Sequence, residues 1–506
     1  MSASGRQPDG AGEQPMLPRA SEGPRGAAAP FPSGTERGAG PSARAPRLSR
    51  AAGRPAAPVR HVHLGLGAFA RAHVAVYTEQ APDAGEWGIA AFTGHSAELA
   101  EQLNAQDCLY TLVVRGPAAD SFSVVSSLSR AFPGTDAPAW LRYLAAPATS
   151  IVTVTVTEAG YCRDASGALD RADPAVQADL ASWRQAGPSA VLRTVPARLA
   201  AGFAARRAAD AGPVTLVSCD NLPGNSTIAA RVTVEFAADT DPGLADWISG
   251  SVHVVDTLVD RITPATTDAD VALVLRSTGR PDSCPVVTEP FSEWVLSDTF
   301  GTERPDWPGA GALITSDVRP YEERKLWLLN GAHSLVAYAA PRRGHTTVAE
   351  AFADPVVLSW VREWWAEAAP HVSLPRAETD AYCDALLERW GNMRMRHQLS
   401  QIAVGGLQKL PVRILPVLRA ELDAGHLPPG AARILGAWVA WLRGDSVSDA
   451  DPGAGELAAA VRPCDSRTAA RRALAALDPA LADYPELVAA VSTATAEFSA
   501  GPGSGP

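Results

Sequence analysis

Apolar residues follow two different rhythms along the chain, and the change comes after about residue 340. Upstream, short aliphatic and β-branched runs alternate with longer mixed stretches. Residues 59–64, 87–92, 110–114, 122–128, 151–157 and 214–218 read as strands. Residues 72–80, 226–238 and, with a break near Gly187, 176–209 read as helices between them. Strands alternating with helices predict an α/β domain built on a parallel sheet. Downstream, 348–368, 378–390, 396–409, 414–424, 431–442 and 486–498 carry helical periodicity, and the strand pattern does not return. The expected plan is a Rossmann-type domain over 58–315 and a mostly helical domain over 316–500. Residues 1–57, almost wholly Gly, Pro, Ala, Ser and Arg, read as a disordered tail.

At the junction lies 321–338, YEERKLWLLNGAHSLVAY. Its apolar residues point in nearly every direction, which predicts a helix buried all round. Glu322, Lys325, Asn330 and His333 interrupt it. On an ideal helix, with Lys325 as zero, Glu322 falls at about 60°, His333 at about 80° and Asn330 at about 140°. Asn330 lies roughly 7 Å and His333 roughly 12 Å beyond the lysine along the axis. Both lean back towards it. The four share a sector able to line a slot for a small linear sugar, at a junction of the kind where clefts form. Burial lowers a lysine's pKa towards the range of a general base. The structural alternative is a lysine snorkelling from a core helix beside a hydrogen-bonded histidine.

The strand at 59–64 runs into Gly65-Leu66-Gly67-Ala68-Phe69 and then a helix. Strand, glycine turn and helix form a dinucleotide-binding opening: Gly65 permits the turn and Gly67 admits a pyrophosphate to the helix N-terminus. The third small position is irregular, and an ordinary strand-to-helix turn is the alternative. No acid closes 87–92; Thr93-Gly94-His95-Ser96 stands there, which leaves NAD and NADP both open. Glu158 and Asn221 follow the strands at 151–157 and 214–218, at the carboxyl edge where α/β sheets bind ligands. A helix cap for Glu158, an Asx turn for Asn221 and an Asp260–Arg261 pair are their structural alternatives.

Composition narrows the chemistry. The 506 residues are 46% hydrophobic and 20% charged, enough for a large core. A net charge of −11 argues against nucleic acid or an anionic membrane as partner. The six cysteines are scattered, as in a reducing cytosol, and no HExxH or paired Cys/His spacing predicts a metal. No apolar run reaches the roughly 20 residues of a membrane span. The apolar patch at 27–31 is too short for a signal-peptide core. The expected location is the cytoplasm.

Several stretches together resemble the long-chain mannitol dehydrogenase family, which includes mannitol 2-dehydrogenases, fructuronate reductases and mannitol-1-phosphate 5-dehydrogenases. They are VHLGLGAFARAH (62–73), TEAGY (157–161), SCDNLPGN (218–225), VDRITP (259–264), TEPFSEW (288–294), KLWLLNGAHS (325–334) and QKLP (408–411). The resemblance implies a nicotinamide-dependent oxidoreductase that interconverts a polyol and its ketose without a catalytic metal. It implies Lys325 as general base, Asn221 and Asn330 as the pair polarising the carbonyl, and Glu322 as proton relay. His333, Asp260, Gln401 and Lys409 fall on substrate-binding positions, the last two on one helix face. Gly65, Gly67, Ala68, Phe69, Thr157 and Glu158 fall against NAD, with NADP not excluded. The family also leans towards monomers. Departures are Ala70 where histidine is usual, His95 where arginine is common, and Gln401 where mannitol 2-dehydrogenases tend to have arginine. Fructuronate reduction to mannonate and mannitol 1-phosphate oxidation are the alternative reactions, with Lys409, Arg413, Arg394 and Arg396 as possible cations for an anionic substrate. A nucleotide-binding protein without catalysis is the remote alternative.

Overall fold

The computed structural model describes residues 47–53, 55–94, 96–164, 166–444, 451 and 453–500. In chain order come β1 (Val59–Leu64), β2 (Gly88–Phe92), a hairpin of β3 (Tyr110–Arg115) and β4 (Asp120–Val125), then β5 (Leu128–Phe132), β6 (Ile151–Val154), β7 (Val214–Ser218) and β8 (Val252–Val255). Six of them form one sheet in the order β5-β2-β1-β6-β7-β8, with every pair parallel. All residues of β2, β6 and β7 are buried, as continuous apolar strands require when helices cover both faces. Phe203 and Phe236, from helices Val195–Ala208 and Asn225–Ala238, pack with Leu216 of β7. Ala75 and Val76 of helix Val74–Gln80 pack with Ile89 and Ala91 of β2. The chain order reverses between β1 and β6, so a crevice opens beyond Leu64 and Val154.

Two strand expectations need correction. The strand expected at 122–128 is two, because the chain turns at Ser126 and Ser127. Their hydroxyls bond Glu79 and the Ala75 carbonyl. The strand expected to reach residue 157 stops at Val154, and the amides of Val156 and Thr157 turn to the Asp220 side chain. Four further strands, β9 (Thr257–Asp260), β10 (Val286–Thr288), β11 (Glu293–Ser297) and β12 (Leu313–Thr315), make two small sheets, β10-β3-β4 and β12-β11-β9.

After Thr315 the described residues form helices and turns. The junction element is Arg319–Arg324 as α-helix, Lys325–Asn330 as π-helix and Gly331–Ala339 as α-helix. All nine residues of the last segment are buried. Helix Pro429–Arg443 packs on Pro485–Ser499 so closely that a Cβ at Gly436 would lie 2.4 Å from that of Ala494. The helix expected at 348–368 breaks at Asp354, whose side chain caps Pro355–Ala368. The one expected at 396–409 splits into Leu399–Ala403 and Gly406–Arg413, with Gly405 at φ +83° between them. Helices Ala454–Val461 and Ser466–Leu477 were not expected from periodicity.

The reading of 1–57 as a free tail is corrected for residues 47–53. Leu48 is buried with Leu109 and Val124, and the Arg50 guanidinium donates to the carbonyls of Asp107, Ser126 and Leu128. Residues 1–46 and His95 lie outside the described residues. No helix among those described is long and apolar enough to cross a membrane.

Candidate active site

At the crevice, Gly65 has φ +100°, and a Cβ there would lie 2.0 Å from the Thr155 carbonyl oxygen. Only glycine fits. Gly67 is the N-cap of helix Ala68–Ala72, and its missing Cβ would meet only the Gly65 oxygen, at 3.7 Å. Open backbone before a helix N-terminus suits a pyrophosphate. Ala68 begins this helix, and the Phe69 ring stacks on His73 at 4.9 Å. Ala70, where the family pattern has histidine, is buried. Across the crevice stand Thr157 and Glu158, both exposed. Thr157 has φ +73°, a conformation costing a β-branched residue about 1–3 kcal/mol. Asp220 maintains it, accepting from the amides of Val156 (2.9 Å) and Thr157 (2.8 Å) and from the Tyr161 hydroxyl (2.5 Å). Burial pushes the Asp220 carboxyl above its ordinary value, against these donors. These residues fit a dinucleotide.

Lys325 is 8% exposed. Its Nζ donates to Asn221 Oδ1 at 2.5 Å and to the Val259 carbonyl at 2.7 Å. Burial holds its pKa below the ordinary lysine value, and the charge of Asp260 opposes that shift. With Oδ1 on the ammonium, Asn221 has its Nδ2 donor left to offer. Lys325 and Asn221, with Glu322, Leu222, Val259 and Leu326 among their neighbours, line a cleft of about 300 Å³. Glu322 accepts from the Gly224 amide at 3.2 Å, and burial raises its carboxyl to about 6.

Asn330 and His333 lie past the π-helical turn. The wider turn changes the angles expected from an ideal α-helix, and π-turns recur at functional sites. Asn330 and His333 do not line the cleft around Glu322, yet the charge of Asp260 acts on Lys325 and His333 alike. Asn330 Nδ2 and His333 Nε2 are buried without a protein partner. The His333 ring lies 5.2 Å from Trp390 and 5.6 Å from His397, and burial pushes its pKa well below the ordinary value. Buried donors and acceptors are nearly always paired, so these two atoms suit the hydroxyls of a ligand.

Three expected substrate contacts are placed differently. Asp260, at the end of β9, does not pair with Arg261 and has no oxygen left unpaired. Arg389 holds it through Nη1–Oδ2 (2.6 Å) and Nη2–Oδ1 (3.1 Å) while also binding Glu289. Gln401 is exposed and lies on a different helix from Lys409, because Gly405 turns the chain between them. Lys409 Nζ is engaged by the carbonyls of Ile402 and Val404, at the end of helix Leu399–Ala403. Residues missed in the sequence are Asp220 and Arg389; Arg413 was read there only as one of four cations for an anionic substrate. Arg413 Nη1 donates to Ser334 Oγ (3.2 Å) and the Asn330 carbonyl (3.4 Å). Asp220 stands beside Asn221 in SCDNLPGN, a signal available in the sequence; Arg389 had none that set it apart from other helix arginines.

The family model described as the mannitol dehydrogenase Rossmann domain matches residues 59–309, and that of the mannitol dehydrogenase C-terminal domain matches 317–498. The chain belongs to the mannitol dehydrogenase family. A D-mannonate oxidoreductase of Escherichia coli K12 is 37% identical over 399 residues, 76% of this chain and 80% of that protein. A mannitol 2-dehydrogenase of Phaeosphaeria nodorum is 35% identical over 395 residues, 76% of this chain and 68% of that protein. Among solved structures, Pseudomonas fluorescens mannitol 2-dehydrogenase in ternary complex with NAD and D-mannitol has a TM-score of 0.75. It is 32% identical, with 90% of this chain and 93% of that one covered. A substrate-free D-sorbitol dehydrogenase gives a TM-score of 0.77 at 28% identity, over 87% of this chain and 93% of that one. As a mannitol dehydrogenase family member with this Rossmann domain, the protein is an NAD-dependent oxidoreductase acting on CH–OH groups.

Proposed function

We propose that the chain interconverts an acyclic polyol of the mannitol type, or the matching sugar acid, with its ketone at the cleft beside Lys325. The observation that carries this reading is the buried Lys325 ammonium, 2.5 Å from Asn221 at the carboxyl edge of the sheet. Bound NAD supplies a hydride acceptor. The protein's own work is on the proton and the oxygen. Lys325, with its lowered pKa, takes the hydroxyl proton as the carbinol is oxidised. In this reading the Nδ2 donors of Asn221 and Asn330 bond the oxygen on which negative charge develops, worth about 3 kcal/mol for one well-aimed donor. Glu322, one turn before Lys325 and in the same cleft, passes the proton outward. His333 orients a neighbouring hydroxyl.

The relatives named for mannitol and for mannonate both support an acyclic polyhydroxy substrate. The test is absorbance at the reduced-nicotinamide band with NAD and D-mannitol, D-arabinitol or D-mannonate, and with NADH and fructuronate or fructose 6-phosphate. Turnover of at least one is expected. Absence of turnover with all of them, by a protein that binds NADH, would sink the proposal.

A further inference from the structure

Arg413 stands on helix Gly406–Arg413 with its guanidinium against the helix that carries the base. Its hydrogen bonds run from Nη1 alone, to two neutral oxygens. A guanidinium has five N–H donors in a planar fork, so most of this fork is uncommitted. Among the described residues no carboxylate stands within salt-bridge distance of it. Glu158 is the acid whose charge reaches it. Burial pushes its pKa down to about 10, the mark of a cation desolvated without a close counter-ion. The other arginine packed into the site, Arg389, is saturated by Asp260 and Glu289. Lys409, one turn before Arg413, has two of its three donors tied to the carbonyls at the helix break.

Resting on the proposed reaction, we infer that Arg413 is the specificity-determining residue for the far end of the substrate, and that this end is a carboxylate. Asn330 and Ser334, which hold the guanidinium, lie five and nine residues beyond Lys325 on one continuous helix. The nearer of them is roughly 7 Å along the axis, on the scale of a six-carbon chain whose reacting hydroxyl sits at Lys325. A planar fork with free donors matches a carboxylate bidentately. A terminal phosphate would place nearly two negative charges opposite Glu158, with Lys409 already engaged, and fits less well. A neutral polyol would leave the half-buried guanidinium without its anion.

The experiment compares kcat/KM for D-mannonate, D-mannitol and D-mannitol 1-phosphate in the full-length protein and in Arg413→Met, Arg413→Gln and Arg413→Lys. NADH binding, followed by fluorescence, checks each fold. The native protein should prefer the carboxylate-ended substrate over both others. In Arg413→Met the mannonate-to-mannitol ratio should fall by about 10- to 100-fold, mostly through KM, with Arg413→Lys retaining part of it. If Arg413→Met fails to bind NADH, Arg413→Gln, which can keep the bond to Ser334 without the charge, should show the same fall. An unchanged ratio in a variant that binds NADH overturns the role of Arg413 and leaves the reaction standing. A native preference for mannitol or the phosphate overturns the carboxylate. No turnover of any of the three by NADH-binding native protein is the outcome that strikes at the reaction itself.

Discussion

Arg389 of helix Arg376–Trp390 holds Asp260 of β9 in a two-point ion pair, with both side chains almost wholly buried. The same guanidinium binds Glu289, so one arginine ties the helical part of the chain to the edge of the sheet domain. Asp260 in turn acts on Lys325, raising its proton affinity, while Arg389 lowers it. Arg389→Met would bury two uncompensated carboxylates and should destabilise the protein by about 3–5 kcal/mol. In the fraction that folds, Lys325 should hold its proton more tightly. The pH profile of alcohol oxidation should therefore move to higher pH, which thermal melts and initial rates together would establish. An unmoved profile would mean that the clasp is purely structural.

Lys325→Ala should lower kcat by about 10²- to 10⁴-fold, the range of general-base catalysis, while NADH still binds. Near-normal turnover would return this lysine to the role of a packed core residue.

The two directions of the reaction should respond oppositely to pH. Oxidation needs Lys325 neutral, so its rate should rise with pH and level off below the ordinary lysine value, because burial lowers the pKa. Ketone reduction needs Lys325 protonated and should fall over that same range. Glu322, with its carboxyl near 6, adds a second, acid-side inflection if it relays the proton. Glu322→Gln should remove that inflection and slow oxidation on the order of tenfold. Identical profiles in the variant and the native protein would exclude the relay.

Asp220→Ala should weaken NADH binding more than it changes stability elsewhere. It removes the acceptor that holds Val156 and Thr157 in the strained turn facing the glycine loop. Release of a strain of about 1–3 kcal/mol predicts an increase in Kd of about 5- to 150-fold, measurable by fluorescence titration. An unchanged Kd would place the turn outside the cofactor site.

Removal of residues 1–52 should lower the melting temperature. Leu48 is buried against Leu109 and Val124, and burying a leucine is worth about 1.5–3 kcal/mol. Removal of residues 1–46 provides the control, since it leaves Leu48 and Arg50 in place. Equal melting temperatures for the two deletions would show that the 47–53 segment contributes nothing.

The strand cores were legible in the sequence because their signal is local. A β-branched run such as 151–154 has one good conformation, and Gly65 alone can make the turn that follows β1. The buried helix at the junction, and the residue types it carries, were legible for the same reason. The phase of its side chains was not: the π-helical turn at Lys325–Asn330 is set by what packs around it, and because it closes i→i+5 it brings Asn330 nearer in phase to Lys325 than the roughly 140° of an ideal α-helix. Distant partners are equally invisible in a linear pattern. Asp260 reads as an acid beside Arg261, yet its counter-ion comes from 129 residues away. Lys409 and Gln401 read as neighbours on one helix until Gly405 turns the chain and the carbonyls of Ile402 and Val404 claim the lysine. Periodicity and residue type determine which elements form and which chemistry is present. Which charges are neutralised, and which one is left for a ligand, is decided only when burial forces each of them to find a partner.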